Sequence, residues 1–129
     1  MSSFKDWKDA FVAKLVTAGY RQSNFEFQDN STPLRDKDFC IAGIDLPSSV
    51  MAAGKQADQL WSIKISVSRS LTSALSSDDI MIETADDFDT ALMGMSTVVG
   101  VIQCRMEMAI DTMIRMSVYI PDIRYRKIY

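Results

Sequence analysis

The 129-residue chain contains no histidine and only two cysteines, Cys40 and Cys104. Without histidine there are no Ser-His-Asp or Cys-His nucleophile pairs, and the usual zinc sites are lost as well. The cysteines lie far apart, each inside an apolar stretch. One disulfide is compatible with that count, but buried free thiols in a reducing compartment suit the pattern better. No run of apolar residues approaches the ~20 that span a bilayer. The opening residues, MSSFKDWKDAF, mix charge with aromatics and lack the apolar region of a signal peptide. The expectation is a soluble, cytosolic protein with no membrane contact.

At 47% hydrophobic and 24% charged, the composition is that of an ordinary globular chain, and the length suits a single domain. The nine methionines suit a pliable core or a surface that repacks against partners. The net charge of −3 argues against general affinity for nucleic acid. That charge is unevenly placed. Asp78, Asp79, Glu83, Asp86, Asp87 and Asp89 form a run without a single base, whereas Arg124, Arg126 and Lys127 crowd the last residues.

Periodicity predicts the elements. Phe4, Trp7, Phe11 and Leu15 repeat at helical spacing, with Ser3 and Asp6 placed as a capping box and Gly19 at the C-terminal stop. Residues 20–37 read as a polar loop with a short extended piece at Asn24–Gln28. DFCIAGIDL is apolar on both faces, which predicts a central strand ended by Pro47. Residues 47–58 read as a second exposed, mobile loop. QLWSIKISVSRSL alternates cleanly, with Trp61, Ile63, Ile65 and Val67 on one face and Ser62, Lys64, Ser66 and Ser68 on the other. The two strands make a wide hairpin.

A second helix starts at Ser77 or Asp78, with Met81, Ala85, Phe88, Leu92 and Met95 as its apolar seam and acids in its first half, where the helix dipole favours them. From Ile102 the period becomes two. Cys104, Met106, Met108 and Ile110 share a face with Ile102, and Asp111-Thr112 turns the chain. Ile114, Met116, Val118 and Ile120 then alternate with polar residues up to Pro121. Beyond it the parity slips, and residues 121–129 read as an extension along an edge or toward a neighbour. The expected fold is α+β: a mainly antiparallel four-stranded sheet with two helices packed on one face, in a single domain covering residues 1–129.

Candidate chemistry is sparse. SDDIMIETADDFD lacks the glycine and the alternating ligands of a calcium loop and sits on a helical pattern, so it reads as a solvated or assembly face. Gly54-Lys55 lacks the remainder of a phosphate loop, with Ser49 and Gln56 where Gly and Ser or Thr are needed. RYRKIY offers bases and tyrosines for nucleic acid, but a charged sheet edge that blocks wrong pairing is the commoner use. Met106, Met108, Met113 and Met116 sit at strand spacing and read as packing rather than copper ligands. No metal, cofactor or catalytic constellation is expected, and the chain reads as a protein that binds other proteins rather than an enzyme.

The order of segments is an amphipathic helix (FKDWKDAFVAKLVTAG), a strand ending near proline (DFCIAGIDLP), a strand with an aromatic start (QLWSIKISVSRSL), an acid-led helix and a final hairpin. Over nearly the whole chain this order resembles the tail terminator (minor tail protein U-like) family of long-tailed bacteriophages and related neck proteins. The C-terminal basic–aromatic cluster has no place in that family pattern.

The resemblance implies a virion structural protein, assembled in the host cytoplasm and then sited at the tail–neck junction. It would form a homo-oligomeric ring, a hexamer, that caps the tail tube, stops its growth and joins the tail to the head connector. DNA would pass through the bore without sequence recognition. On that reading Asp78, Asp79, Glu83, Asp86, Asp87 and Asp89 are the candidate bore lining, and Met51 and Lys55 the candidate contact with tube or connector. Arg124, Tyr125, Arg126, Lys127 and Tyr129 are the candidate subunit interface. The alternatives are another phage neck component, such as a head-completion or stopper protein, and a small ligand-binding regulatory α+β module.

Overall fold

A computed structural model of the chain describes residues 4–23, 35–52, 56–71, 76–95, 102–110 and 112–128. The element order is α1 (Phe4–Thr17), β1 (Arg21–Gln22), β2 (Asp38–Ala52), β3 (Gln56–Ser70), α2 (Ser77–Met93), β4 (Gln103–Ile110) and β5 (Met113–Ile128). The fold is α+β. Its sheet has five strands in the order β1-β2-β3-β5-β4, not four, and is mixed: β1 runs parallel to β2, and every other neighbouring pair is antiparallel. A two-residue strand is too short to leave a periodic trace, which is why β1 lay hidden in an expected loop. The extended piece expected at Asn24–Gln28 and the cap at Ser3 lie outside the described residues.

The first helix follows its sequence. Phe4, Trp7, Phe11 and Leu15 are its buried residues. It ends in a Schellman motif: Tyr20 N–H donates to Leu15 O, Gly19 N–H donates to Val16 O, and Gly19 has φ +101°, a conformation that glycine adopts without a Cβ penalty. Ser76 caps α2 in a reciprocal capping box with Asp79. The buried positions of α2 are Ile80, Thr84, Phe88, Ala91 and Leu92. The seam is thus rotated from the expected one, with Met81 and Ala85 only half-buried. Thr84 can be buried because its hydroxyl donates to Ile80 O and accepts from Arg69. No basic residue lies in the last turn of α2. Instead Lys14 of α1 lays its ammonium beside Gly94, the C-cap, so that a Cβ built there meets Lys14 Nζ at 2.5 Å. That positive charge faces the negative end of the helix dipole.

Both helices cover the same face of the sheet. Trp7, Phe11, Leu15, Phe88 and Leu92 share one core cluster with Phe39 of β2, Ile63, Ile65 and Val67 of β3, and Val118, Ile120 and Ile123 of β5. Burying each such ring or branched chain contributes roughly 1.5–3 kcal/mol. At one end the core closes with an aromatic stack. Phe4 lies 4.3 Å from Trp61 and 5.4 Å from Trp7 between ring centroids, and Tyr125 meets it edge-on at 6.2 Å. A smaller cluster of Ile80, Ile114 and Met116 lies apart from it.

Four register shifts explain the other departures from expectation. Pro47 does not end its strand. It falls at the shift between Asp45↔Ser62 and Ser48↔Leu60, where a bulge tolerates the missing N–H, and β2 runs on to Ala52. A second shift in β2 lies between Ile41 and Gly43. The expected loop at 47–58 is therefore mostly hairpin, and only residues 53–55 between the strands lie outside the described residues. Residues 121–128 are not a loose extension. They form the second half of β5, paired to β3 from Trp61↔Ile123 to Gln56↔Ile128.

The apparent slip of parity at Pro121 is a bulge in which Pro121 and Asp122 together oppose Ser62, with Asp122 at φ +55°. The extra residue returns Ile123 and Tyr125 to the face of Ile120. In β4, a shift between Met106 and Met108 places Met108 opposite Arg115 and Ala109 opposite Ile114. Met108 therefore leaves the face it was expected to share with Met106. Substituting Asp122 tests the bulge. Asp122→Val, with a β-branched side chain at positive φ, should lower stability by about 1–3 kcal/mol, whereas Asp122→Gly should stay within about 0.5 kcal/mol of wild type in urea denaturation.

Candidate functional site

The acidic face of α2 divides in two. Asp79 belongs to the capping box, Glu83 accepts from Arg69 Nη2 at 2.8 Å, and Asp87 accepts from the Tyr20 hydroxyl at 2.8 Å. These three hold the fold together. Asp78, Asp86 and Asp89 are exposed and make no ion pair among the described residues. These three lie on the same side of the helix as exposed Ile82 and Met93, while Asp79, also exposed, sits at the cap.

Arg69 organises the inner side. It lies on the apolar face of β3, two residues beyond Val67, with its side chain 5% exposed. Its guanidinium donates to Asp36 at 3.1 Å, Glu83 at 2.8 Å, Thr84 at 2.8 Å and Tyr20 Oη at 3.3 Å. Burial opposes its charge, but the carboxylates of Glu83 and Asp36 outweigh that penalty and hold its pKa above the usual value. Burial, followed by the hydrogen bond to Asp87, pushes the Tyr20 phenol far above its ordinary range. Lys37 Nζ sits 5.5 Å from the Tyr20 ring. This network ties together the turn after α1, the start of β2, the end of β3 and the middle of α2. The sequence held one signal for it: a charge at the odd position 69, where the alternation of β3 asks for an apolar residue.

The opposite face of the sheet is polar. Lys64 of β3 and Arg115 of β5 converge on Glu107 of β4, at 3.5 and 4.0 Å. Ser62, Ser66, Ser68 and Ser117 are buried on that face. Among the described residues no group of acidic or cysteine side chains is arranged to hold a metal ion, and no helix is long and apolar enough to cross a membrane. Neither Cys40 nor Cys104 forms a disulfide among the described residues; burial, with a smaller effect from Asp89, raises the Cys104 pKa. A shallow groove of about 660 Å³ runs between the helices, floored by small residues such as Ala10, Ala13, Ala18 and Ala91.

What remains is the perimeter of the sheet. On one side β1 covers only Asp38 and Phe39 of β2, and among the described residues no strand pairs with the outer side of β2 from Cys40 onward. On the other side β4 covers β5 only as far as Gln103↔Tyr119, so that β4 forms one stretch of this border and the rest of β5 the next. Both borders continue past the core. The ladder β2–β3–β5 extends beyond Trp61 and Tyr125 to Ala52↔Gln56↔Ile128, making a three-stranded arm.

The sequence candidates fall on these features. Met51 is in β2 on the arm, opposite Ala57, and Lys55 lies outside the described residues. Arg124 is exposed and opposite Leu60, and Tyr125 is half-buried against Phe4. The backbones of Arg126 and Lys127 pair with Asp58 and Ala57, and Tyr129 lies outside the described residues. Sequence reading missed Ile44, Leu46, Met106 and Met108 as border residues.

Two substitutions test the network. Arg69→Ala should cost about 3 kcal/mol in urea denaturation, because it strips partners from Tyr20 and Thr84 as well as from two carboxylates. Tyr20 keeps its proton more tightly folded than unfolded. Its stabilising contribution is therefore complete below the unfolded phenol value of ~10 and declines as pH rises above it. The stability gap between wild type and Tyr20→Phe should accordingly narrow between pH 8 and pH 11; a gap independent of pH contradicts the assignment. No protein-family model matches the chain, and comparison with curated proteins returns no match.

Proposed function

We propose that the chain is a ring-forming structural subunit of a bacteriophage tail, acting as the tail terminator. The observation that carries this reading is the pair of unlike sheet borders, unpaired among the described residues from Cys40 onward on β2 and along β4, whose ladder continues into an arm beyond the core. Backbone donors and acceptors along a strand border seek a partner. A contact between two different borders is heterologous, and where its repeated rotation closes it makes a ring rather than an open filament. The number six comes from the resemblance to the tail terminator family, which the order, length and patterning of the elements carry.

On this reading the arm, which carries Met51, meets the tail tube or the head connector, Lys55 remains a candidate for the same contact from the sequence, and the basic residues from Arg124 onward belong to the subunit contact. Asp78, Asp86 and Asp89 line the bore, where carboxylates give DNA phosphates nothing to bind and let the duplex slide. Glu83 and Asp87 are withdrawn from that role by Arg69 and Tyr20, and Asp79 is engaged at the helix cap. The borders serve equally in another neck component, a head-completion or stopper protein; arrest of tube growth separates the two.

Negative-stain imaging and native mass spectrometry of the purified protein, alone and with tail tubes, test the proposal. The expected result is a six-membered ring that seats on tube ends and halts elongation. A chain that stays monomeric under both conditions contradicts it. Asp86→Lys/Asp89→Lys should leave folding within about 0.5 kcal/mol of wild type and rings intact, while slowing DNA passage. Loss of the rings themselves would remove these residues from the bore.

A further inference from the structure

The proposed ring leaves open which surfaces meet, and the side chains on the two borders answer that. We infer that β4 of one copy docks against the outer side of β2 of a second copy of the same chain. This inference rests on the ring reading and names its contact.

Eight large hydrophobic side chains are exposed among the described residues, and half of them sit on these two strands: Ile44 (39% exposed) and Leu46 (43%) on β2, Met106 (43%) and Met108 (40%) on β4. Exposed apolar side chains on an unpaired strand are an aggregation hazard unless a partner covers them. The charges beside them are complementary. Asp45 lies between Ile44 and Leu46 and is exposed; Arg105 precedes Met106 and is exposed. Neither makes an ion pair among the described residues.

Pairing β4 with β2 therefore brings Met106 beside Ile44 on the helix side of the sheet and Arg105 toward Asp45 on the other side, where Met108 also lies. Pairing β4 with another β4 leaves Ile44, Leu46 and Asp45 uncovered. The interruptions in each border limit how far this pairing can run. Pro47 and its bulge bound the available stretch of β2 on one side, and β1 bounds it on the other. The shift at Met106–Met108 interrupts β4 in the same way. Short, broken stretches admit few registers, which favours one closed contact over endless stacking.

The test uses two double variants of the full chain. Ile44→Lys/Leu46→Lys blocks β2, and Met106→Lys/Met108→Lys blocks β4. All four side chains are exposed, so circular dichroism and thermal unfolding should match wild type. Each variant alone should lose assembly and remain monomeric where wild type forms rings. Mixed in equal amounts and briefly cross-linked, they should give heterodimers and nothing larger, because each retains one competent border and the two are complementary. Assembly of the β2-blocked variant alone points to a β4–β4 contact and overturns the inference. Wild-type-like rings from both variants, or no heterodimer on mixing, also overturn it while leaving the ring reading standing. A wild-type chain that stays monomeric, with or without tail tubes, removes both.

Discussion

The antiparallel pairing of β3 with β5 sets the layout of the molecule. It runs from Ser70↔Met113 to Gln56↔Ile128, with one bulge at Pro121–Asp122. On the helix side, the bulge keeps Ile120, Ile123 and Tyr125 in one apolar row opposite Ile63, Trp61 and Gln59. That row is what α1 and α2 pack against. Shifted by one residue, every apolar side chain of the distal half would turn to the polar face, and the stack of Phe4, Trp61 and Tyr125 could not form. The same pairing carries the ladder past the core and so creates the arm. It also puts the first half of β5 inside the sheet, which among the described residues leaves β2 from Cys40 onward as one border and β4 with the second half of β5 as the other.

A second constraint locks the helices to this ladder. Arg69 leaves the apolar pattern of β3 and gathers Asp36, Glu83, Thr84 and Tyr20 around one guanidinium. A planar, always-charged fork suits that geometry, since its donors point in fixed directions toward several acceptors at once. The cost is that α2 commits half of its acidic run to internal work. The outward charge of that helix is therefore smaller than its sequence suggests, and it is carried by Asp78, Asp86 and Asp89, with the capping Asp79 also exposed.

Where each residue sees mainly its own element, the sequence was readable. The seam of α1, its glycine stop, the alternation of β3 and the tight turn between β4 and β5 all follow from local periodicity. What failed was long-range. A register shift is a relation between two strands, and nothing in DFCIAGIDLP shows that Pro47 will lie at a bulge rather than at an end. The parity slip after Ile120 was visible, but only pairing with β3 shows that it repairs the apolar row. The acidic residues looked alike in sequence, and their division depended on Arg69 and Tyr20, which lie distant along the chain. The border residues had no local signature, because Met106 and Met108 look like core until β5 is known to lie on one side of them and, among the described residues, no strand on the other.

The account stands on the claim that sister copies complete the borders of β2 and β4. Amide hydrogen exchange, compared between dissociated and assembled protein, measures this most directly, because it reads the backbone groups themselves. The account predicts rapid exchange at the outward-facing amides of residues 41–46 and 103–110 in the monomer, beside slower inward-facing amides that bond β3 or β5, and marked slowing of the outward set on assembly, with little change in β3. Assembly that leaves the outward set fast, or a lone molecule in which it is already slow, would contradict it.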